Sequence, residues 1–369
     1  MFPITYPEQQ QAAALIRRYG TSSNDYFKLW PDKELFFTAS GNGVVAYGVS
    51  HKVALAYGDP AAPAAEIGQT IDEFRAYCRR HRWTPVFYKT TPRYIDIFRQ
   101  KRFRTFRGSD DAIVELEKFS LVGRANKHHR AVLNRFEKEG TTDHFFKPPV
   151  PDEVIRMARE VSDSWLTTGR RERRFTLGRF DKEYVRHTPM LAAIRADGTM
   201  LGFVNIIPSY APQTATIDMM RYRADSPNGV MDFLLIKLFE YNKAQGFRYF
   251  SMGAAPIVEL PEGEEASAEE KFFYRFAGML DSYFSMSGLR QYKAKFATIW
   301  EPEYIVYPRR LALPRLVQAM TALTELPENK KPILSKERRK LVKDVTQEAI
   351  QEIRRARAER KSSAEASPE

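Results

Sequence analysis

The sequence predicts a mixed α/β protein built as two similar units in tandem. Three observations carry that expectation. Antiparallel strand-like runs come first, then strands alternating with helices. The order helix, meander, helix, strand, helix occurs twice, although no sequence repeat accompanies it. The chain has 369 residues, 43% hydrophobic and 13% aromatic, enough to fill two cores.

In the first unit, residues 7–19 read as a helix closed by Gly20. Strand-like runs at 34–39, 44–49 and 53–57 follow, separated by Ser-Gly-Asn-Gly and Ser-His-Lys as hairpin connections would be. Gly58-Asp59-Pro60 ends the third run, 63–82 has a helical period, 85–89 is a strand, 93–101 a helix and 111–116 a strand. In the second unit, 152–166 is a helix and 191–195, 200–208 and 215–222 form a meander turning first at Asp197-Gly198. A long helix over 230–245, a short strand over 249–252 and a helix over 269–284 complete it. That order suits an N-acetyltransferase-like fold.

Between the units, 121–139 reads as one helix crowded with Arg124, Lys127, His128, Arg130, Arg135 and Lys138 around apolar Ala125, Val132, Leu133 and Phe136. Spacings of three and four collect much of that charge on one stripe, which suits either a solvated face or a phosphate-backbone cradle. The expected division is therefore 1–120, a basic linking helix at 121–140, a catalytic unit at 141–325, and a basic helical tail at 326–369 with a disordered end. That tail carries Lys330, Lys331, Lys336, Arg338, Arg339, Lys340 and Lys343, then Arg354, Arg355, Arg357, Arg360 and Lys361. It reads as a weak electrostatic contact for a membrane surface or nucleic acid.

The net charge of +12 favours a polyanionic partner. The single Cys78 rules out an intramolecular disulfide and a cysteine-rich metal site. His51, His81, His128, His129, His144 and His187 lack metal-ligand spacing, and neither a Gly-x-Ser-x-Gly elbow nor a Walker loop occurs. No metal or cofactor is expected. No stretch approaches the roughly 18–20 apolar residues of a bilayer span, so a cytoplasmic protein is expected, or one resting on the inner membrane face.

Three clusters could carry chemistry. The first is Asp218 and Arg221 in Thr216-Ile217-Asp218-Met219-Met220-Arg221-Tyr222-Arg223. Strict strand alternation separates the two side chains, whereas a bulge would bring them to one site. A buried Asp–Arg ion pair explains the spacing equally well. The turn after this strand, Asn228-Gly229 leading to Asp232, opens a helix and would suit an anion. It lacks the glycine-rich pyrophosphate loop of a coenzyme A enzyme. The second cluster is Arg290 and Lys293, three apart on a helical face and able to meet one anion. The third is the basic loop at 168–175, where Glu172 could pair with a substrate ammonium.

Taken together these segments resemble the soluble catalytic domain of the lysyl- and alanyl-phosphatidylglycerol synthases, the multiple peptide resistance factor family. The resemblance runs from about residue 8 to 308. It is carried by Tyr57-Gly58-Asp59-Pro60, Pro85-Val86-Phe87-Tyr88, residues 131–140, Phe175-Thr176-Leu177-Gly178, Pro227-Asn228-Gly229-Val230-Met231-Asp232-Phe233 and residues 288–302. It implies tandem acetyltransferase-like (GNAT) domains, aminoacyl-tRNA as donor, and phosphatidylglycerol or a related anionic membrane lipid as acceptor, with a part in cationic peptide resistance. It also implies Asp218, Arg221 and Lys293 as catalytic residues and Glu172, Asn228, Asp232 and Arg290 as substrate contacts. Arg124, Lys127, Arg130 and Arg135 would contact tRNA. The family's Phe-Asn-Leu-Gly-Met-Ala-Pro reads Phe250-Ser251-Met252-Gly253-Ala254-Ala255-Pro256 here, and its membrane flippase domain is absent from this sequence. Two alternatives remain on the same fold: a coenzyme A-dependent acyltransferase, and a non-catalytic RNA- or membrane-binding relative.

Overall fold

A computed structural model describes residues 6–124, 126–257, 286–308 and 313–326, with positions 271, 274 and 351. The first unit holds helix α1 (Pro7–Tyr19) and an antiparallel meander of β1 (Glu34–Phe37), β2 (Val44–Ser50) and β3 (Val53–Tyr57). His51 and Lys52 turn the second hairpin with φ of 48° and 59°, the left-handed values a two-residue hairpin turn requires. Helix α2 (Ile67–Arg80) returns the chain to β4 (Thr84–Thr90), which pairs parallel to β3. Helix α3 (Ile95–Gln100) and β5 (Phe103–Glu115) end the unit.

After helix α4 (Lys127–Lys138), the second unit repeats the plan. It contains β6 (Thr142–Phe146), α5 (Asp152–Thr167), α6 (Lys182–Arg186) and the antiparallel strands β7 (Met190–Ile194), β8 (Met200–Ile207) and β9 (Thr214–Tyr222). Helix α7 (Val230–Ala244) then crosses to β10 (Tyr249–Pro256), parallel to β9. Helix α8 (Met286–Ala294), β11 (Ile299–Pro308) and α9 (Leu313–Thr324) follow. The helix expected over 269–284 lies outside the described residues save for Lys271 and Tyr274, and the basic tail does so save for Leu326 and Gln351.

The two units share one sheet, in the order β1-β2-β3-β4-β11-β5-β10-β9-β8-β7-β6. Each unit lends its last strand to the other, since β11 pairs with β4 and β5 pairs with β10. At the centre β5 and β11 pair antiparallel, with Asp110 opposite Pro302, Asp111 opposite Glu301 and Ser109 opposite Glu303. The sheet is thus nearly symmetric in order about this pair, with β4 to β1 on one side and β10 to β6 on the other.

Side-chain alternation along the strands makes two faces. Helices α2 and α3 cover one face of the first unit, and α4 and α7 cover the same face of the second. On the opposite face a single core runs across both units. It joins Tyr26, Phe27, Trp30 and Tyr57 to Ala158 and Val161 of α5, Phe175, Tyr184, Met219, and Leu316 and Ala319 of α9. Burying each large apolar side chain there contributes about 1.5–3 kcal/mol. Among the described residues no helix is long and apolar enough to cross a membrane.

Two sequence expectations need correction. The helix expected over 121–139 starts only at Lys127, which leaves Arg124 in the preceding loop. The strand expected over 111–116 begins at Phe103, because β11 pairs with β5 from Phe103 to Ile113 while β10 pairs with it only from Ser109 to Glu115. Strands β6 and β11 and helices α6 and α9 do not follow from the periodicity.

Candidate active site

Asp218 and Arg221 reach the same face because β9 carries a bulge. The β8 register passes from Val204 opposite Met220 to Ile206 opposite Ile217, so two steps on β8 match three on β9. Ile217 and Met220 consequently pack under α7, while Met219 joins the core on the α5 side. The bulge leaves the Met219 N–H without a ladder partner, and it donates to Oδ1 of buried Asn205 at 2.7 Å. Asn205 Nδ2 donates to Thr188 Oγ1 at 3.3 Å, which fixes the amide's orientation.

The Asp218 carboxylate is half-buried and doubly held. Tyr184 donates its hydroxyl to Oδ2 at 2.6 Å, and the Gly178 N–H donates to Oδ1 at 2.9 Å. Tyr184 is aimed by the short helix α6, whose N-cap Asp181 accepts the Tyr184 N–H at 2.9 Å. Gly178 has to be glycine here, since a Cβ would come within 1.7 Å of Asp218 Oδ2. Burial pushes the Asp218 pKa up to about 6, against the lowering effect of those two hydrogen bonds and of Arg221. Burial, with Asp218 alongside, raises the Tyr184 phenol well above its ordinary value and keeps it a donor.

Arg221 is 4% exposed and its ion-pair partner is Glu172, not Asp218. Its Nη1 lies 2.5 Å from Glu172 Oε1 and also donates to Ser162 on α5, while the guanidinium sits 4.9 Å from the Trp165 ring centroid. Glu172 also accepts the Phe180 N–H at 3.3 Å. The carboxylate expected to meet a substrate ammonium thus already balances Arg221. The segment from Glu172 to Phe180 lies against both units, because the Phe175 N–H donates to Asp32 Oδ2 at 2.7 Å. The Phe175 ring meets Tyr57 edge-on at 6.1 Å.

Lys293 belongs to a second polar network where β9 and β10 part. Their pairing ends at Thr216 opposite Ser251, and Gly253 then kinks β10 with φ of 77°. Lys293 reaches from α8 to donate to the Gly253 and Ala254 carbonyls at 2.8 and 2.9 Å. Burial lowers its pKa to about 7; Asp111 pulls it back up, and Lys89 pushes it further down. Asp111 accepts from Ser251 at 2.6 Å and from Ser23 at 2.9 Å. Glu303 accepts from Ser109 at 2.6 Å and Asn24 at 3.1 Å, with the Lys89 ammonium at 3.9 Å. Arg290 diverges from Lys293: it donates to Asp110 Oδ2 at 2.8 Å and stacks on Trp300. The two cations therefore meet different partners rather than a common anion.

Asn228 and Asp232 do not join these networks. They lie on the opposite face, at the contact between α4 and α7. Arg135 donates to the Asn228 carbonyl, and Asp232 pairs with Lys295 at 3.1 Å and His128 at 3.3 Å. Arg130 donates to the Leu121 and Gly123 carbonyls, so Arg130 and Arg135 organise the linker, while Arg124 and Lys127 are exposed. Sequence reasoning does not single out Tyr184, Ser162, Asp111 or Glu303. Gly178 lies in a segment that carries the resemblance, but nothing in the sequence ties it to Asp218, 40 residues away.

A tandem acetyltransferase-like scaffold with a perturbed carboxylate beside the split between parallel strands defines the class of protein. The family described as phosphatidylglycerol lysyltransferase, C-terminal, matches residues 13–307, and the chain belongs to that family. The phosphatidylglycerol lysyltransferase of Bacillus subtilis is 28% identical over 306 residues, covering 83% of this chain and 36% of that protein. The chain thus spans about a third of the length of the curated relatives it matches. The structure of L-PGS from Bacillus licheniformis superposes with a TM-score of 0.76 at 29% identity, covering 88% of this chain and 98% of that one. The C-terminal domain of a putative lysylphosphatidylglycerol synthetase from Agrobacterium fabrum gives 0.74 at 27%, covering 86% and 96%.

Proposed function

We propose that this protein transfers an aminoacyl group from a charged tRNA to the hydroxyl of phosphatidylglycerol or a related anionic lipid at the inner membrane face. The observation that carries the reading is Asp218, a half-buried carboxylate with a pKa near 6, on the strand that parts from β10 where the buried Lys293 is held. A carboxylate titrating there can accept a proton from an alcohol during attack and return it to the departing ribose oxygen. Lys293, in its charged form, offsets negative charge on the lipid phosphate or the reacting ester. Arg221 holds Glu172 and with it the segment that hydrogen-bonds Asp218. Exposed Arg124 and Lys127 offer contacts to tRNA phosphates. This chemistry needs no metal or nucleotide cofactor.

A coenzyme A-dependent reaction is less well supported. The α7 N-terminus, where a pyrophosphate would sit, is covered by Val132 and Arg135 of α4, which crowd Gly229. The deciding experiment incubates the protein with individually charged tRNAs and phosphatidylglycerol vesicles. An RNase-sensitive aminoacyl lipid is expected, and failure with every charged tRNA would remove the reading.

A further inference from the structure

We propose that the loop after α5 carries a stacking platform for the single-stranded 3′ end of the charged tRNA, with the Arg170 guanidinium as its exposed face. The inference rests on the aminoacyl-transfer reading above and adds where the donor's last nucleotides lie.

Arg170 is exposed, yet its guanidinium is fixed in place. It lies over the rings of Tyr222 at 4.8 Å and Trp165 at 5.5 Å. It also donates to the Tyr222 hydroxyl at 2.5 Å and to Thr168 Oγ1 at 3.3 Å. Ordering a long exposed side chain costs rotamer entropy, and no carboxylate is the partner here. Trp165 carries the buried Arg221 guanidinium as well, at 4.9 Å, so the platform is continuous with the Arg221–Glu172 pair. Glu172 accepts the Phe180 N–H, and exposed Arg159 lies over the Phe180 ring at 4.1 Å, next to exposed Arg179. Among the described residues none of Arg159, Arg170 and Arg179 has a carboxylate within ion-pair distance.

Uncompensated guanidiniums beside half-buried aromatic rings suit a strand of bases and phosphates. Bases stack on aromatic rings and on guanidinium planes, while phosphates take the charge. A bilayer surface would need apolar side chains beside the cations. Of the large apolar side chains exposed among the described residues, only Leu177 lies in this segment. The platform is also within reach of the reacting ester. The Ala224 N–H donates to Ser164 Oγ at 3.0 Å, which pins the end of α5 to the end of β9. Tyr222 ends β9 and Asp218 lies four residues earlier, about 13 Å along a strand. Nucleotides stacked as in a duplex rise about 3.4 Å each. A base on Arg170 and an ester at Asp218 are therefore a few nucleotides apart on one single strand.

The test is a binding cycle read by fluorescence anisotropy on the full chain. An uncharged tRNA transcript, and the same transcript trimmed of its single-stranded 3′ end, are titrated with wild type, Arg170→Ala and Arg170→Lys. Loss of one stacked base predicts a Kd for intact tRNA about 5- to 150-fold weaker in Arg170→Ala. Trimming should weaken wild type by a similar factor and leave Arg170→Ala unchanged. Arg170→Lys keeps the charge without the plane, so it should follow Arg170→Ala. An unchanged Kd in Arg170→Ala, or losses from trimming and substitution that multiply, would overturn the platform while leaving the transfer reading in place. Wild-type affinity in Arg170→Lys would make the contact one of charge alone and overturn it too. So would a loss confined to co-sedimentation with phosphatidylglycerol vesicles, which would make the surface a lipid contact. No tRNA binding by wild type would remove the donor, and both the functional reading and this inference with it. Arg170 is exposed, so the three proteins should melt alike; should Arg170→Ala not fold, Arg170→Lys and the trimmed transcript decide between these outcomes.

Discussion

Asp218 is ionised at neutral pH in surroundings that favour its neutral form, and this makes its role separable from its contribution to stability. Its pKa is about 6 when folded, against about 4 for a free carboxyl. The folded state therefore binds the proton more tightly than the unfolded chain. The stabilisation from that proton is full below pH 4 and is lost as pH rises through 6. At pH 7.5 the ionised group costs up to about 2–3 kcal/mol. Asp218→Asn should accordingly melt higher than wild type at pH 7.5 and lose that advantage near pH 4, while transfer falls by about 10²–10⁴ as expected for a lost general base. A pH-independent difference in melting would place the proton elsewhere. Lys293 shifts the opposite way, to about 7, so its charged form is present only below that pH. The proposed reaction needs Asp218 ionised and Lys293 protonated, and kcat/KM should rise through about 6 and fall above about 7. Lys293→Arg should abolish the alkaline limb whatever it does to the maximum rate. Retention of that limb would assign it to another group.

At the scale of elements, the segment from Glu172 to Phe180 decides what the bulged strand can do. Glu172 neutralises Arg221, and Gly178 orients Asp218. Glu172→Gln would leave the 4%-exposed Arg221 without its counter-charge. Breaking a buried pair from one side costs about 3–5 kcal/mol. Pairing Glu172→Gln with Arg221→Met should recover part of that loss, measured by denaturant unfolding of the four proteins in a double-mutant cycle. Additive losses would mean the two residues act independently. These elements also divide what the sequence discloses from what it withholds. The β1–β3 and β7–β9 meanders and helices α2 and α7 are legible because alternation, turn residues and helical period are local signals. The bulge in β9 is not, because it is set by Asn205 on the neighbouring strand. Nor is the choice of Glu172 over Asp218 as the partner of Arg221, which depends on a loop 49 residues away. Strand β11, with Pro302 and three glutamates or aromatics in its first half, carries no clear alternation and takes its place from β4 and β5.

The exchange of terminal strands governs the whole molecule. Tandem domains in a chain of this length ordinarily meet through modest, polar interfaces and unfold separately. Here β11 inserts between β4 and β5, and β5 pairs in turn with β10, so each unit's sheet is completed by the other's last strand. The core on the α5 face is also common to both, running from Val53 and Tyr57 to Phe203 and Met219. Unfolding the second unit would withdraw β11 and expose bare strand edges on both β4 and β5, which the first unit has no other strand to cover. Calorimetry should therefore show one transition, with the van't Hoff and calorimetric enthalpies equal. A fragment ending at residue 285, which lacks β11, should lose the first unit's protection against hydrogen exchange along β4 and β5 as well as the second unit's. Two resolved transitions, or a first unit that stays protected without β11, would mean that strand exchange joins the units in space without coupling their stability. The buried polar networks straddle that junction, because Lys89 and Asp111 come from the first unit whereas Glu303 and Ser251, their partners, come from the second.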